Sequence, residues 1–140
     1  MDKKYFDKNV NELFKSNTFS DIVDENNQDF CIQKYVVQTL KPLGIPVYFS
    51  SRKENVFPFI MFQNTGESGE EFWDNQEQVT RYRVCLNIFS KDNYFKIFNQ
   101  TKKLMLEAGF IRNDIPAPIY YEDIDVYNQP MFFLFYKENY

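Results

Sequence analysis

Glu122, Asp123 and Asp125 are the side chains in this sequence with the most direct chemical potential. Carboxylates at this spacing can hold a divalent cation or divide acid and base roles in a hydrolytic reaction. On a strand, Asp123 and Asp125 share one face. The sequence contains no histidine, so the commonest general base, the usual zinc ligand and every triad built on imidazole are missing. A metal-dependent nuclease would set an acid-x-Lys element beside such a pair, and the match, Asp2-Lys3-Lys4, lies at the opposite end of the chain. An alternating acid pair on an exposed strand is more often a solvated face that guards a sheet edge against aggregation. A carboxylate-dependent hydrolase or nuclease using these three residues is therefore the second reading of the chain.

Arg81-Tyr82-Arg83 offers a different chemistry, because Arg pairs phosphate and Tyr stacks a base. On a strand, however, Tyr82 points away from both arginines, and a formal charge of −4 disfavours a chain that grips nucleic acid. An RNA-binding accessory role is the third reading. Pairing of Arg81 and Arg83 with acids on a neighbouring strand or subunit outweighs it. The glycines of Gly66-Glu-Ser-Gly69 lack the lysine of a phosphate loop and sit among acids that would repel phosphate.

These residues hang on a recognisable scaffold. Along residues 78–90, Thr80, Tyr82, Val84, Leu86 and Ile88 alternate with Val79, Arg81, Arg83, Cys85 and Asn87, the period of a half-buried strand. Residues 4–15 have helical spacing, and 16–27 read as a polar loop. Residues 28–40 form a broad apolar helical face, although Tyr35-Val36-Val37 also suits a strand. Gly44 and its flanking prolines end that helix. Strands are expected at 47–50 and 56–63, with Pro58 at the start or on an edge. Residues 64–78 hold Glu67, Glu70, Glu71, Asp74 and Glu77 with no basic residue, and read as an exposed loop or mobile hairpin. Phe72 and Trp73 inside it either fold back on their own domain or dock on another chain.

A helix capped by Asp92 and stopped by Gly109 follows the central strand. Then come a short strand at 110–112, strands at 119–127 and 131–136, and a tight turn at Asn128-Gln129-Pro130. In the last strand Phe133 and Phe135 oppose Phe132, Leu134 and Tyr136. Strands arrive in runs rather than in strict alternation with helices, so a single α+β domain is expected, mostly antiparallel with helices on one face. A length of 140 residues fits one core. No run is long enough for a membrane helix, the first residues are charged where a signal peptide is apolar, and Cys31 and Cys85 lack a pairing motif. A cytoplasmic protein with free thiols, no metal and no cofactor is expected.

In order and pattern, the stretches Gly44-Ile-Pro-Val-Tyr48, Pro58-Phe-Ile-Met-Phe62, the acidic segment, Tyr82-Arg-Val-Cys-Leu-Asn-Ile-Phe-Ser90, the helix through Phe98 and Met105 to Gly109-Phe110, and Tyr120-Tyr-Glu-Asp123 resemble the tail-terminator, or tail-completion, proteins of long-tailed bacteriophages and prophage elements. The resemblance covers roughly residues 30 to 136. It implies a small, non-enzymatic α+β subunit that forms a ring, commonly a hexamer, on the last ring of the tail tube. There it would end tube growth and supply the surface for the head and its connector. Contractile tails and phage-tail-like bacteriocins share the scheme. The resemblance further implies assembly in the host cytoplasm, residence in the virion or tail-like particle, and DNA only as cargo in the channel. Glu67, Glu70, Glu71, Phe72, Trp73, Asp74, Arg81 and Arg83 are the expected subunit and partner contacts, with the acidic segment lining the channel or reaching the next subunit.

Overall fold

Alternation of apolar and polar side chains produces the central strand, and everything else packs around it. A computed structural model describes residues 30–51 and 56–139. The expected N-terminal helix at 4–15, the polar loop at 16–27 and most of the polar segment at 51–55 lie outside the described residues. In chain order the elements are helix α1 (Ile32–Leu40), a 3-10 turn (Lys41–Leu43), β1 (Val47–Phe49), β2 (Phe59–Trp73), β3 (Gln76–Ser90), α2 (Phe95–Glu107), β4 (Ile111–Asp114), β5 (Ile119–Tyr121) and β6 (Val126–Glu138). The six strands form one sheet in the order β1-β2-β3-β6-β4, with β5 also on β6. β1 runs parallel to β2, and the other pairings are antiparallel. The fold is α+β.

Both helices cover the same face. Val36, Val37 and Leu40 of α1 and Met105 of α2 pack on Ile60, Phe62, Val84, Leu86, Ile88, Met131 and Phe133. The inward row of β3 is therefore the one its alternation marks out. Gly44 takes a left-handed φ of 71° and Gly109 a φ of 97°, so the residues expected to end the two helices do so. Asp92 is not the cap of α2. Its own N–H donates to Ser90 Oγ at 3.2 Å, and Asn93 Oδ1 instead accepts the Phe95 N–H at 2.9 Å. Tyr94 occupies the N-cap position and makes no side-chain capping bond, while the Ser90 hydroxyl, which also donates to the Asp92 carbonyl at 3.1 Å, holds Asp92 in the preceding turn.

The C-terminal hairpin also differs from expectation. Its turn is the acidic stretch 122–125, and Asn128, Gln129 and Pro130 lie inside β6. Pro130 is tolerated there because it falls between the β5 pairing, which ends at Asn128, and the β4 pairing, which begins at Phe132. Gln129 Nε2 bridges that gap by donating to the Pro116 carbonyl at 2.8 Å.

Two packing details carry predictions. Thr101 is 0% exposed and its hydroxyl has no hydrogen-bond partner among the described residues. An unpaired buried hydroxyl costs about 1–3 kcal/mol. Thr101→Val is expected to raise the thermal midpoint by about 3 °C, measured by calorimetry. Tyr35 Oη donates to the Ala108 carbonyl at 2.6 Å and ties α1 to the end of α2. Burial pushes the Tyr35 phenol above its ordinary value. The unfolded chain then loses this proton at lower pH than the folded one, so the stabilisation is complete below the ordinary value and is lost as pH rises through the folded value. Urea midpoints are expected to fall above about pH 10, and Tyr35→Phe should flatten part of that fall.

Candidate assembly interface

Of the two forms expected for residues 64–78, a loop or a hairpin, the structure shows a hairpin. β2 and β3 pair continuously out to Trp73↔Gln76, and Asp74 and Asn75 turn the chain with φ of 54° and 61°. Positive φ at both central residues marks a type I′ turn, whose twist matches a hairpin. Register shifts between Asn64 and Gly66, Gly69 and Glu71, and Glu71 and Phe72 break the two-residue period, which is why alternation does not reveal the strand. β1 leaves β2 after Phe62, and β6 leaves β3 after Val79. The tip is thus a two-stranded arm beyond the body of the sheet. Asn139 fastens its root, with the backbone N–H donating to Gln78 O at 2.8 Å and Nδ2 to Thr80 Oγ1 at 2.9 Å.

The acids have different roles along the β2–β3 hairpin, from the part that β6 still flanks out to the two-stranded tip. Glu70 pairs with Arg81 at 3.1 Å, so the partner of Arg81 lies on its own hairpin. With both groups about a third exposed, this pair contributes at most about 1 kcal/mol. Glu67 stands opposite Tyr82. Burial, then the charges of Glu67 and Glu77, push the Tyr82 phenol up. Thr80 donates a hydrogen bond to Glu77, while Glu71 and Asp74 are exposed. Arg83 is exposed and has no ion-pair partner among the described residues. Its guanidinium lies over Gly66, where an added Cβ would stand 2.5 Å from Nη2.

Phe72 and Trp73 behave unequally. The Phe72 ring leans over Gly69, where a Cβ would meet its edge, and the residue remains 58% exposed. Trp73 is 68% exposed and has no ring contact with another aromatic among the described residues. An acidic arm therefore carries an indole into water at its tip.

The acids singled out for chemistry are not assembled into a site. Glu122, Asp123 and Asp125 fall in the turn before β6 rather than along one strand face. Asp125 takes a φ of 54° and accepts a hydrogen bond from Tyr120 Oη at 2.6 Å, which raises the Tyr120 phenol. Among the described residues no group of acids and cysteines has the geometry to hold a metal ion. Cys31 and Cys85 are free thiols, and no helix among the described residues is long and apolar enough to cross a membrane.

A second surface feature escaped the sequence reading. On the sheet face away from the helices, Phe57, Phe59 and Met61, with Phe89 and with Tyr121, Ile124 and Val126, line an apolar groove of about 200 Å³. Lys91 Nζ lies 5.5 Å above the Phe57 ring on its rim. The available signal was that Phe59 and Met61 alternate with Ile60 and Phe62, which makes both faces of early β2 apolar. No protein-family model matches this chain, and no curated protein is significantly similar to it in sequence.

Proposed function

We propose that this chain is a structural subunit of a phage tail or tail-like particle that assembles as a ring, a hexamer by resemblance, on the end of the tail tube. The ring ends tube growth and offers the surface to which the head and its connector join. The observation that carries the assembly reading is the exposed indole at the end of an anchored arm. A large apolar side chain held in water by an ordered hairpin favours a protein partner. The order of elements supports the choice of tail terminator among assembly proteins. The arm's acids suit a channel through which DNA must pass without adhering.

Size-exclusion chromatography with light scattering, alone and with the matching tail-tube protein, tests this reading. A ring or a tube-capped species is expected. A chain that stays monomeric under both conditions counts decisively against it. The hydrolase reading is weakened by the turn location of its acids. Calorimetric titration with magnesium or manganese would revive it only by showing binding that Asp123→Asn with Asp125→Asn abolishes.

A further inference from the structure

Resting on the assembly reading, we propose that neighbouring copies join head to tail, the tip of one copy's arm lying across the outer face of the next copy's α2. Trp73 then lies along the stripe that Phe95 and Leu106 mark, with Glu71 and Asp74 against the lysines beside it.

The receiving face is open. Every residue of α1 is at least partly buried, whereas α2 leaves one whole side in water. On that side Phe95 is 62% and Leu106 46% exposed. At the α-helical repeat the two fall on one stripe, about 16 Å apart. Lys102 lies on the same stripe, and Lys96 and Lys103 run along its border. The one acid of α2, Glu107, pairs with Lys103 at 4.0 Å and leaves Lys96 and Lys102 without an ion-pair partner among the described residues.

The tip is the matching half. Trp73 is 68% exposed, and beside it Glu71 and Asp74 are exposed with no ion-pair partner among the described residues. An apolar tip with acids next to it thus faces an apolar stripe with lysines next to it, the apolar centre and complementary charged rim of a protein interface.

A copy's own tip does not meet its own helix. β4, which follows α2, pairs with β6 at Leu134, and Leu134 stands opposite Arg83, so α2 spans the sheet from the level of Ser90 back to that of Arg83. The hairpin runs on to Gln76, on the order of 20 Å farther. A two-fold pair exchanging tips would lay two arms alongside each other and set their acids together. In a head-to-tail array each copy gives one tip and receives one, which closes into a ring when the rotation permits.

Lys96→Glu with Lys103→Glu is expected to raise the concentration of half-assembly, measured by light scattering, by about tenfold or more. Glu71→Lys with Asp74→Lys should do the same. Mixed in equal amounts, the two reversed chains again oppose unlike charges at each contact, and assembly should return to within about threefold of the parent, in species larger than dimers. All four side chains are exposed, so each chain alone should keep the parent's thermal midpoint. Should Lys96→Glu with Lys103→Glu lower it, Lys96→Gln with Lys103→Gln reads the same contact. Assembly indifferent to the lysine changes, no recovery on mixing, or recovery that stops at dimers would each overturn the proposal while leaving the assembly reading intact. Parent protein that stays monomeric with tube protein present removes both.

Discussion

Trp73→Ala is expected to raise the concentration of half-assembly by about 30-fold or more and to leave the monomer's thermal midpoint within about 1 °C of the parent. The two effects separate because Trp73 is 68% exposed. Truncating it removes almost no burial from the isolated fold. A desolvated aromatic anchor, by contrast, typically contributes about 2 kcal/mol or more to an interface. Sedimentation equilibrium measures the first quantity and calorimetry the second. A large loss of thermal stability with unchanged assembly would place Trp73 in the core of its own fold.

Phe133→Ala should do the opposite. Phe133 is 0% exposed, stands opposite Val84 on β3 and Arg112 on β4, and meets Phe110 edge to face at 6.4 Å between centroids. Removing a buried phenyl ring costs about 3–5 kcal/mol, because the space it leaves collapses only partly. Against a total of about 5–15 kcal/mol for a domain of this kind, that is a large fraction. Urea denaturation should show the loss as a lower midpoint with little change in slope. Tyr136→Ala on the same strand, at a residue 42% exposed, should cost far less.

That contrast also shows how legible the fold was. Val84 announces itself because it lies in an uninterrupted alternation whose inward row is apolar, whereas Phe133 lies in the continuous apolar run 131–136, which marks a strand but not which of its rows is inward. Helix α2 is legible for the equivalent reason, with apolar residues spaced for one face and Gly109 at its end. The arm is not, since three register shifts erase the period and Gly66, Gly69 and the acids have low strand propensity. Composition leaves a loop and a hairpin both open, and the Asp74-Asn75 turn with the pairing to β3 fixes the hairpin. Asn128-Gln129-Pro130 mislead in the other direction. They have turn chemistry but occupy β6, because the sheet leaves a gap on one side at Pro130.

The candidate interface was half visible. Phe72 and Trp73 stand out in any acidic segment, and pairing of Arg81 with a neighbouring strand follows from the alternation on β3. The groove was hidden because its side chains come from three separated stretches that only the topology brings together. Phe89 gives no sign in sequence that it will stack on Phe59, with centroids 5.0 Å apart. Long-range assembly of apolar residues from separated stretches is what local pattern does not encode.

The proposed capping of a tail tube is tested by the length of tubes polymerised from the matching tube protein with and without this chain, scored by negative-stain electron microscopy. Shorter tubes that end in a ring of this protein are expected, with the effect largely lost in Trp73→Ala. Tubes of unchanged length, with none of this protein at their ends, would contradict it.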